Sequence, residues 1–283
     1  MQLKYWGLIA GMAVIGAIAG GSGDRVGAVT TVLYDGALGG SPTSGASPYL
    51  NFFGGGIGVP TATGGVTRLD TSSDNVIQAG YTNYKTDLSG FFNPAFPAGL
   101  DNDAGYTLSF TVKINSQTNA SSYRAGFSAI VLGSDRRGIE IGFRDTDIFS
   151  QNDASFNSIG EQKTNIGSTL SALTTYNLNV LGGSNAGQYT LTSGADTLLS
   201  GALRDYTAAA TGAVTAVYAK PNFIFLGDDT TSAGASVDIQ RISLTTNAAP
   251  VPEPSSLLGI GLAIGLGARL KRKLGKQRLD LTK

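Results

Sequence analysis

The stretch YTLSFTVKI, residues 106–114, sets the period on which the fold is read. Tyr106, Leu108, Phe110, Val112 and Ile114 alternate with Thr107, Ser109, Thr111 and Lys113. A period of two places one face of a strand on a core and the other in water. The alternation returns at Ile139, Ile141 and Phe143, at Tyr176, Leu178 and Val180, and at Tyr189 and Leu191. In SVDIQRISL, residues 236–244, Val237 and Ile239 share a face, whereas Ile242 and Leu244 fall out of phase with them. A β-bulge at Gln240–Arg241 would restore the inward face. Turn material separates the runs at Gly133-Ser134-Asp135, Gly182-Gly183-Ser184-Asn185 and Gly227-Asp228-Asp229. No stretch between Thr30 and Thr246 holds a helical period. Short, half-buried strands spaced by turns predict an all-β fold, an antiparallel β-sandwich or barrel.

With 283 residues and 41% hydrophobic content, the chain is long enough for one sizeable core. Its 40 glycines follow no fixed period, which suits turns and bulges rather than collagen or a repeat solenoid. Cysteine and histidine are both absent. Their absence removes disulfides, thiolate metal sites, Ser-His and Cys-His nucleophile pairs and the commonest general base. The formal net charge of zero conceals an uneven distribution. From Gly20 to Ala249 there are twelve basic and eighteen acidic residues, so the body is net acidic, which argues against nucleic acid as a partner.

The two ends read differently from the body. Lys4, the apolar run Trp6 to Ala19 and the closing Ala17-Ile18-Ala19 follow the order of a secretory signal peptide, with cleavage expected after Ala19 or Ala28. Near the other end, Ser255 to Ala268 is uncharged over fourteen residues. As a helix it would reach about 21 Å, short of the roughly 30 Å hydrocarbon layer, and so make a marginal transmembrane anchor. Pro250, Pro252 and Pro254 hold the preceding segment extended. Arg269, Lys271, Arg272 and Lys273 follow the run and orient it with the body facing outward.

Val-Pro-Glu-Pro-Ser-Ser, a short Leu/Gly/Ala-rich run and a terminal basic cluster together resemble the PEP-CTERM sorting signal of Gram-negative bacteria and cyanobacteria. The resemblance implies Pro252, Glu253 and Pro254 as the recognition motif, with Arg269, Lys271, Arg272 and Lys273 as the stop signal. It further implies an exosortase, a membrane transpeptidase, as partner alongside the export machinery. The destination is then the cell surface or an exopolysaccharide or biofilm matrix, with transient or permanent C-terminal membrane anchoring. In the body, FSAIVLGSDRRGIEIGF followed by TYNLNV, QYTLTSGADTLLSG and NFIFLGDD resembles the concanavalin A-like, laminin-G-like jelly roll over residues 106–246, with residues 30–105 supplying the first strands. The expected organisation is a signal peptide and flank (1–28), a β-sandwich (29–249) and a sorting tail with a short transmembrane helix (250–283).

Jelly-roll glycosidases need two carboxylates across the scissile bond. The body has only Glu140 and Glu161, and Glu140 is followed on its face by Gly142 and Arg144, not by further acids. Glu140 and Arg144 are therefore expected on a solvated face, and the chain is expected to have no catalytic residues. No obligate cofactor is expected. Calcium is the metal that its acidic clusters would suit: Asp101-Asn102-Asp103, Asp145 with Asp147, and Asp228-Asp229 with Asp238, above all near Asp228 and Asp229. Asp and Asn also favour turns for local reasons. Tyr49, Phe52, Phe53, Tyr81, Tyr84, Phe91, Phe92 and Phe96 could stack on sugar rings, although core packing explains most such residues in a sandwich. The expectation is a glycan-binding or structural adhesion module. The alternatives are a glycoside-acting enzyme of the jelly-roll class and a permanently tail-anchored envelope protein.

Overall fold

Alternating runs become paired strands wherever an inward apolar face finds a second sheet to cover it. The computed structural model describes residues 27–247 apart from 46–47, 55–56, 58–59, 61, 98 and 210–212. The expected signal helix, the Pro-Glu-Pro motif, the apolar run and the basic cluster lie outside the described residues. No helix among the described residues is long and apolar enough to cross a membrane.

In chain order the strands are β1 (Val29–Asp35), β2 (Asn51–Gly54), β3 (Ala62–Thr63), β4 (Val66–Asp70), β5 (Ala79–Thr82), β6 (Tyr106–Asn119), β7 (Phe127–Leu132) and β8 (Gly138–Phe143). They continue with β9 (Ile148–Gln151), β10 (Ile159–Lys163), β11 (Thr174–Leu181), β12 (Gln188–Ser193), β13 (Asp196–Ala202), β14 (Phe223–Asp228) and β15 (Ala233–Thr246). Two short helices, α1 (Gly167–Leu170) and α2 (Ala213–Tyr218), sit in connections. The TGAVTAVYA stretch had shown no helical period long enough to announce α2.

All strand pairs are antiparallel and make two sheets. One runs β13-β12-β11-β6-β15-β4-β3, with β1 also pairing to β15, and the other runs β10-β9-β8-β7-β14-β5-β2. The fold is thus an all-β antiparallel two-sheet sandwich. The long strands β6 and β15 form its spine. The register between them slips between Ile239 and Arg241, leaving Gln240 as the extra residue at the bulge that the phase change predicted. Past that slip β15 changes partner along its second edge: β4 pairs with Ser236 to Ile239 and β1 with Arg241 to Thr246.

Between the sheets lie Leu108, Phe110 and Val112 of β6, Tyr176 and Leu178 of β11, and Phe143, Phe127 and Ile224 of the facing sheet, all buried in one core. Phe143 meets Phe110 and Tyr176 edge-on at 5.6 and 5.1 Å between ring centroids, the geometry that the ring quadrupole favours. A second, smaller core covers the outer face of the seven-stranded sheet. Ile130, Leu132, Phe223 and Phe225 from the strands pack there beneath Tyr84, Tyr206 and Tyr218 from the connections. Strands β5, β7, β8, β9 and β14 are consequently buried along their whole length. That burial leaves little room on the outer face: a Cβ at Gly142 would lie 2.5 Å from the Phe149 ring. Truncating Phe110 to Ala in the spine should cost about 3–5 kcal/mol, measured as a lowered urea midpoint at unchanged slope. A loss under about 1 kcal/mol would mean that the two sheets do not share this core.

Candidate functional site

Carboxyl groups buried in a β-sandwich must be neutralised, paired or supplied with hydrogen-bond donors. Asp147 and Asp238 are paired with arginines, Glu140 and Asp228 are buried without one, and Glu161 is half-buried at an edge. Of the last three, the first lies on the outer face of the seven-stranded sheet. Glu140 on β8 is 2% exposed, not on a solvated face as its alternation suggested, because the connections carrying Tyr206 and Tyr218 close over it. Its carboxylate oxygen accepts a hydrogen bond from the Tyr218 hydroxyl. Its backbone N–H donates to the Tyr206 hydroxyl at 3.2 Å, and that hydroxyl donates to the Gln151 carbonyl at 2.9 Å. Phe156 stacks on Tyr206 at 5.9 Å, and the Arg124 guanidinium sits 5.1 Å over the Phe156 ring. Burial pushes the Glu140 carboxyl well above the carboxylate range, and the negative charge of Asp229 adds to the effect. Burial likewise raises Asp229, against the opposing influence of Arg124 and Ser128. Arg144 is not solvated either: it pairs with Asp147 at 2.5 Å and lies over the Phe149 ring at 4.6 Å.

The second carboxyl group ties the two sheets together at β14 and β15. Asp228 is fully buried, accepting from Thr71 Oγ1 at 2.6 Å and from the Thr230 N–H at 3.1 Å. Thr71 Oγ1 in turn accepts from the Ala235 N–H at 3.0 Å. Burial lifts the Asp228 carboxyl to about 8, so it is mostly protonated at neutral pH. The third closes the opposite edge. Glu161 on β10 accepts from Ser150 of β9, from Tyr189 of β12 at 2.8 Å and from Arg204 beyond β13 at 2.6 Å. Burial works against its ionisation, but the hydrogen bonds from Ser150 and Arg204 outweigh it and bring the carboxyl down to about 2. Arg204 also donates to the Gln151 carbonyl at 3.0 Å, so the Glu140 and Glu161 centres meet at one peptide group.

The residues proposed from sequence are thereby placed. Asp228 and Asp229 do not share partners: Asp228 is held by Thr71 and Thr230, and Asp229 by Ser128 with Arg124 nearby. Among the described residues no group of three or more acids converges as a metal cage. Asp147 is taken up by Arg144, Asp238 by Arg68, and Asp101 accepts from the Asp103 N–H. Of the aromatic candidates, Tyr81, Tyr84 and Phe96 are buried, and Tyr49, Phe52 and Phe91 pack against the cores. Phe53 alone of the eight is exposed, at 41%. Sequence reasoning overlooked Thr71, Ser150, Tyr189 and Arg204. The inward alternation of Tyr189 was legible, but its hydroxyl partner lies across the sandwich, 28 residues away in sequence.

Two opposite pH limbs follow for stability. Glu161, depressed to about 2, contributes fully above its unfolded value of 4.5, and that contribution is lost as pH falls through 2. Asp228, raised to about 8 from 3.8, binds its proton more tightly folded than unfolded; its contribution is complete below 3.8 and is lost as pH rises through 8. Glu140 acts in the same direction as Asp228. Thermal unfolding scans should therefore give a midpoint that peaks near pH 4–5 and declines towards both pH 2 and pH 8. Asp228→Asn should flatten the alkaline limb and Glu161→Gln the acid one. A midpoint that is level from pH 5 to 8 would rule the protonated carboxyls out.

Comparison with known proteins agrees with this architecture. A carbohydrate esterase from the Shiga toxin-encoding bacteriophage phi24B superposes with a TM-score of 0.50 at 14% identity, over 77% of this chain and 100% of that one. A protein of unknown function from Shewanella oneidensis MR-1 gives 0.43 at 16% identity, covering 82% and 91%. The binding domain of botulinum neurotoxin DC, solved with rat synaptotagmin II, gives 0.38 at 13% identity, covering 69% and 43%. At 14% identity the likeness to the esterase is one of fold alone. No curated protein matches the chain by sequence. Residues 250–273 match the PEP-CTERM protein-sorting motif, the recognition signal for exosortase processing, and this motif marks the protein as exported.

Proposed function

We propose that this is a surface or extracellular-matrix protein, sorted by an exosortase, whose sandwich is a non-catalytic module that holds glycan. The observation that carries the reading is the sorting motif at 250–273, placed directly after a sandwich whose last strand ends at Thr246. The tripartite tail supplies address, temporary anchor and stop; its fourteen-residue run is too short for a comfortable span. The state of the carboxyl groups supports the non-catalytic part. Both glutamates of the body are engaged in packing and hydrogen bonds, Glu140 under Tyr218 and Glu161 against Arg204. A glycosidase instead needs two carboxyls facing a substrate cleft.

Intact mass spectrometry tests the sorting step. From a host with the exosortase, the expected species ends between Pro252 and Ser255; a species still ending at Lys283 would make the tail a permanent anchor. The purified sandwich should be retained saturably on surface polysaccharide and release no reducing sugar from it. Release of sugar that disappears in Glu140→Gln or Glu161→Gln would replace this reading with an enzymatic one.

A further inference from the structure

The outer faces of the two sheets differ. That of the seven-stranded sheet is occupied by the protein's own second core, whereas among the described residues nothing packs over that of the eight-stranded sheet. On the open face, the ladder registers align Ser200, Thr190, Asn179, Thr107, Thr245 and Thr30 in one row across six strands. A second row, one pleat along, aligns Thr192, Asn177, Ser109 and Ser243. Neighbours in a row stand about 4.8 Å apart, and the rows about 6.8 Å apart.

These side chains are held in place by one another. Thr107 donates to Asn179 Oδ1 at 2.9 Å, Asn179 Nδ2 to Thr190 Oγ1 at 3.1 Å, and Ser109 to Asn177 Oδ1 at 2.7 Å. Thr30 and Thr245 share a hydrogen bond of 2.8 Å. Neither row contains a charge. Designed soluble surfaces are about 25–35% charged, so ten outward positions would ordinarily carry about three. Charges return only beyond the second row, where Arg241 pairs with Asp35 and, one pleat further, Arg68 pairs with Asp238 and Lys113 stands in register beside it. The neutrality of the rows contrasts with a body of twelve basic and eighteen acidic residues.

From this pattern, resting on the glycan-holding reading above, we infer that the open face of the eight-stranded sheet is a docking surface for an extended, uncharged polysaccharide. Charge matching selects the occupant: an uncharged face offers an acidic polymer no counter-charge, while hydroxyl and amide groups match the hydroxyl and acetamido edges of neutral sugars. Desolvating short uncharged side chains costs less than desolvating ions, and groups already fixed by mutual hydrogen bonds lose little further freedom on binding. With no aromatic platform in the rows, each sugar contributes weakly, and affinity accumulates along the chain. A second copy of the protein fits less well, because stable self-association needs an apolar centre and Val32, 41% exposed, is the apolar residue in register beside Ser243.

The test is co-sedimentation of the sandwich with insoluble β-glucan, chitin and alginate beads between 50 mM and 1 M salt. Retention is expected on at least one neutral polymer, changing less than twofold with salt. It should fall at least tenfold in Thr107→Lys/Thr190→Lys and in the isosteric Asn179→Asp, but persist in the exposed connection variant Asn157→Lys. Far-ultraviolet circular dichroism and melting confirm that each variant is folded. If folded row variants bind as well as the parent, the face is overturned while the glycan reading stands. If the parent binds no polymer, both fall. Preference for alginate with a tenfold loss in high salt would overturn the neutral-ligand assignment. A parent dimer in sedimentation velocity that Asn179→Asp dissociates would assign the face to a second copy instead.

Discussion

A sheet buried on both faces can hold a carboxyl group only as a neutral acid or within a ring of donors, and this sandwich uses each solution in a different place. Glu140 and Asp228 lie where few donors reach them, and burial keeps their protons on. Glu161 lies at the edge, where Arg204, Ser150 and Tyr189 converge and ionisation is favoured. The two solutions sit at opposite sides of the sandwich, Asp228 joining β14 to β15 through Thr71 and Glu161 joining β10 to β12. The sheets are thus fastened at both flanks of a core that is otherwise apolar. Breaking either fastening leaves polar groups buried without their partners, which costs more than the bond itself contributes.

The second core explains why the two faces of this protein differ in character. Because Tyr84, Tyr206 and Tyr218 close the outer face of the seven-stranded sheet, its strands are apolar on both sides, and its polar residues serve packing. The eight-stranded sheet keeps the alternation of a sheet with one wet side. Its wet side is built from Thr, Ser and Asn, whose cross-strand hydrogen bonds order it. Any surface chemistry of the sheets is therefore concentrated on one of them.

The centre of the eight-stranded sheet, β6, β11, β12 and β15, was legible in the sequence, and the seven-stranded sheet only in part. Tyr106 to Ile114 alternate because one side is wet, and the phase slip in SVDIQRISL placed the bulge at Gln240–Arg241, where the register shifts. FSAIVL and FIFLGD carry no such alternation, so nothing local says which side faces inward. Reading Glu140 as solvated failed for the same reason: its cover comes from Tyr206 and Tyr218, more than sixty residues away, in connections without a periodic pattern. The row of Thr and Asn on the open face was present residue by residue. It becomes a row only once the registers of six strands are known.

The topology also constrains how sorting and docking relate. Because β1 pairs antiparallel with the end of β15, Val29 opposite Thr246, the chain enters and leaves the sandwich at one end. Only four residues lie between Asn247 and Pro252, so the five steps between them reach at most about 18 Å. While the tail is held in a membrane, the sandwich is therefore confined close to the bilayer by this end. The rows cross the sheet perpendicular to its strands, so a polymer lying along them runs across the tethered axis instead of along it. A domain so held can meet only polymer close to the bilayer, whereas one cut free at the motif is not confined there. On this reach, release by an exosortase would widen the space in which the face can meet polysaccharide.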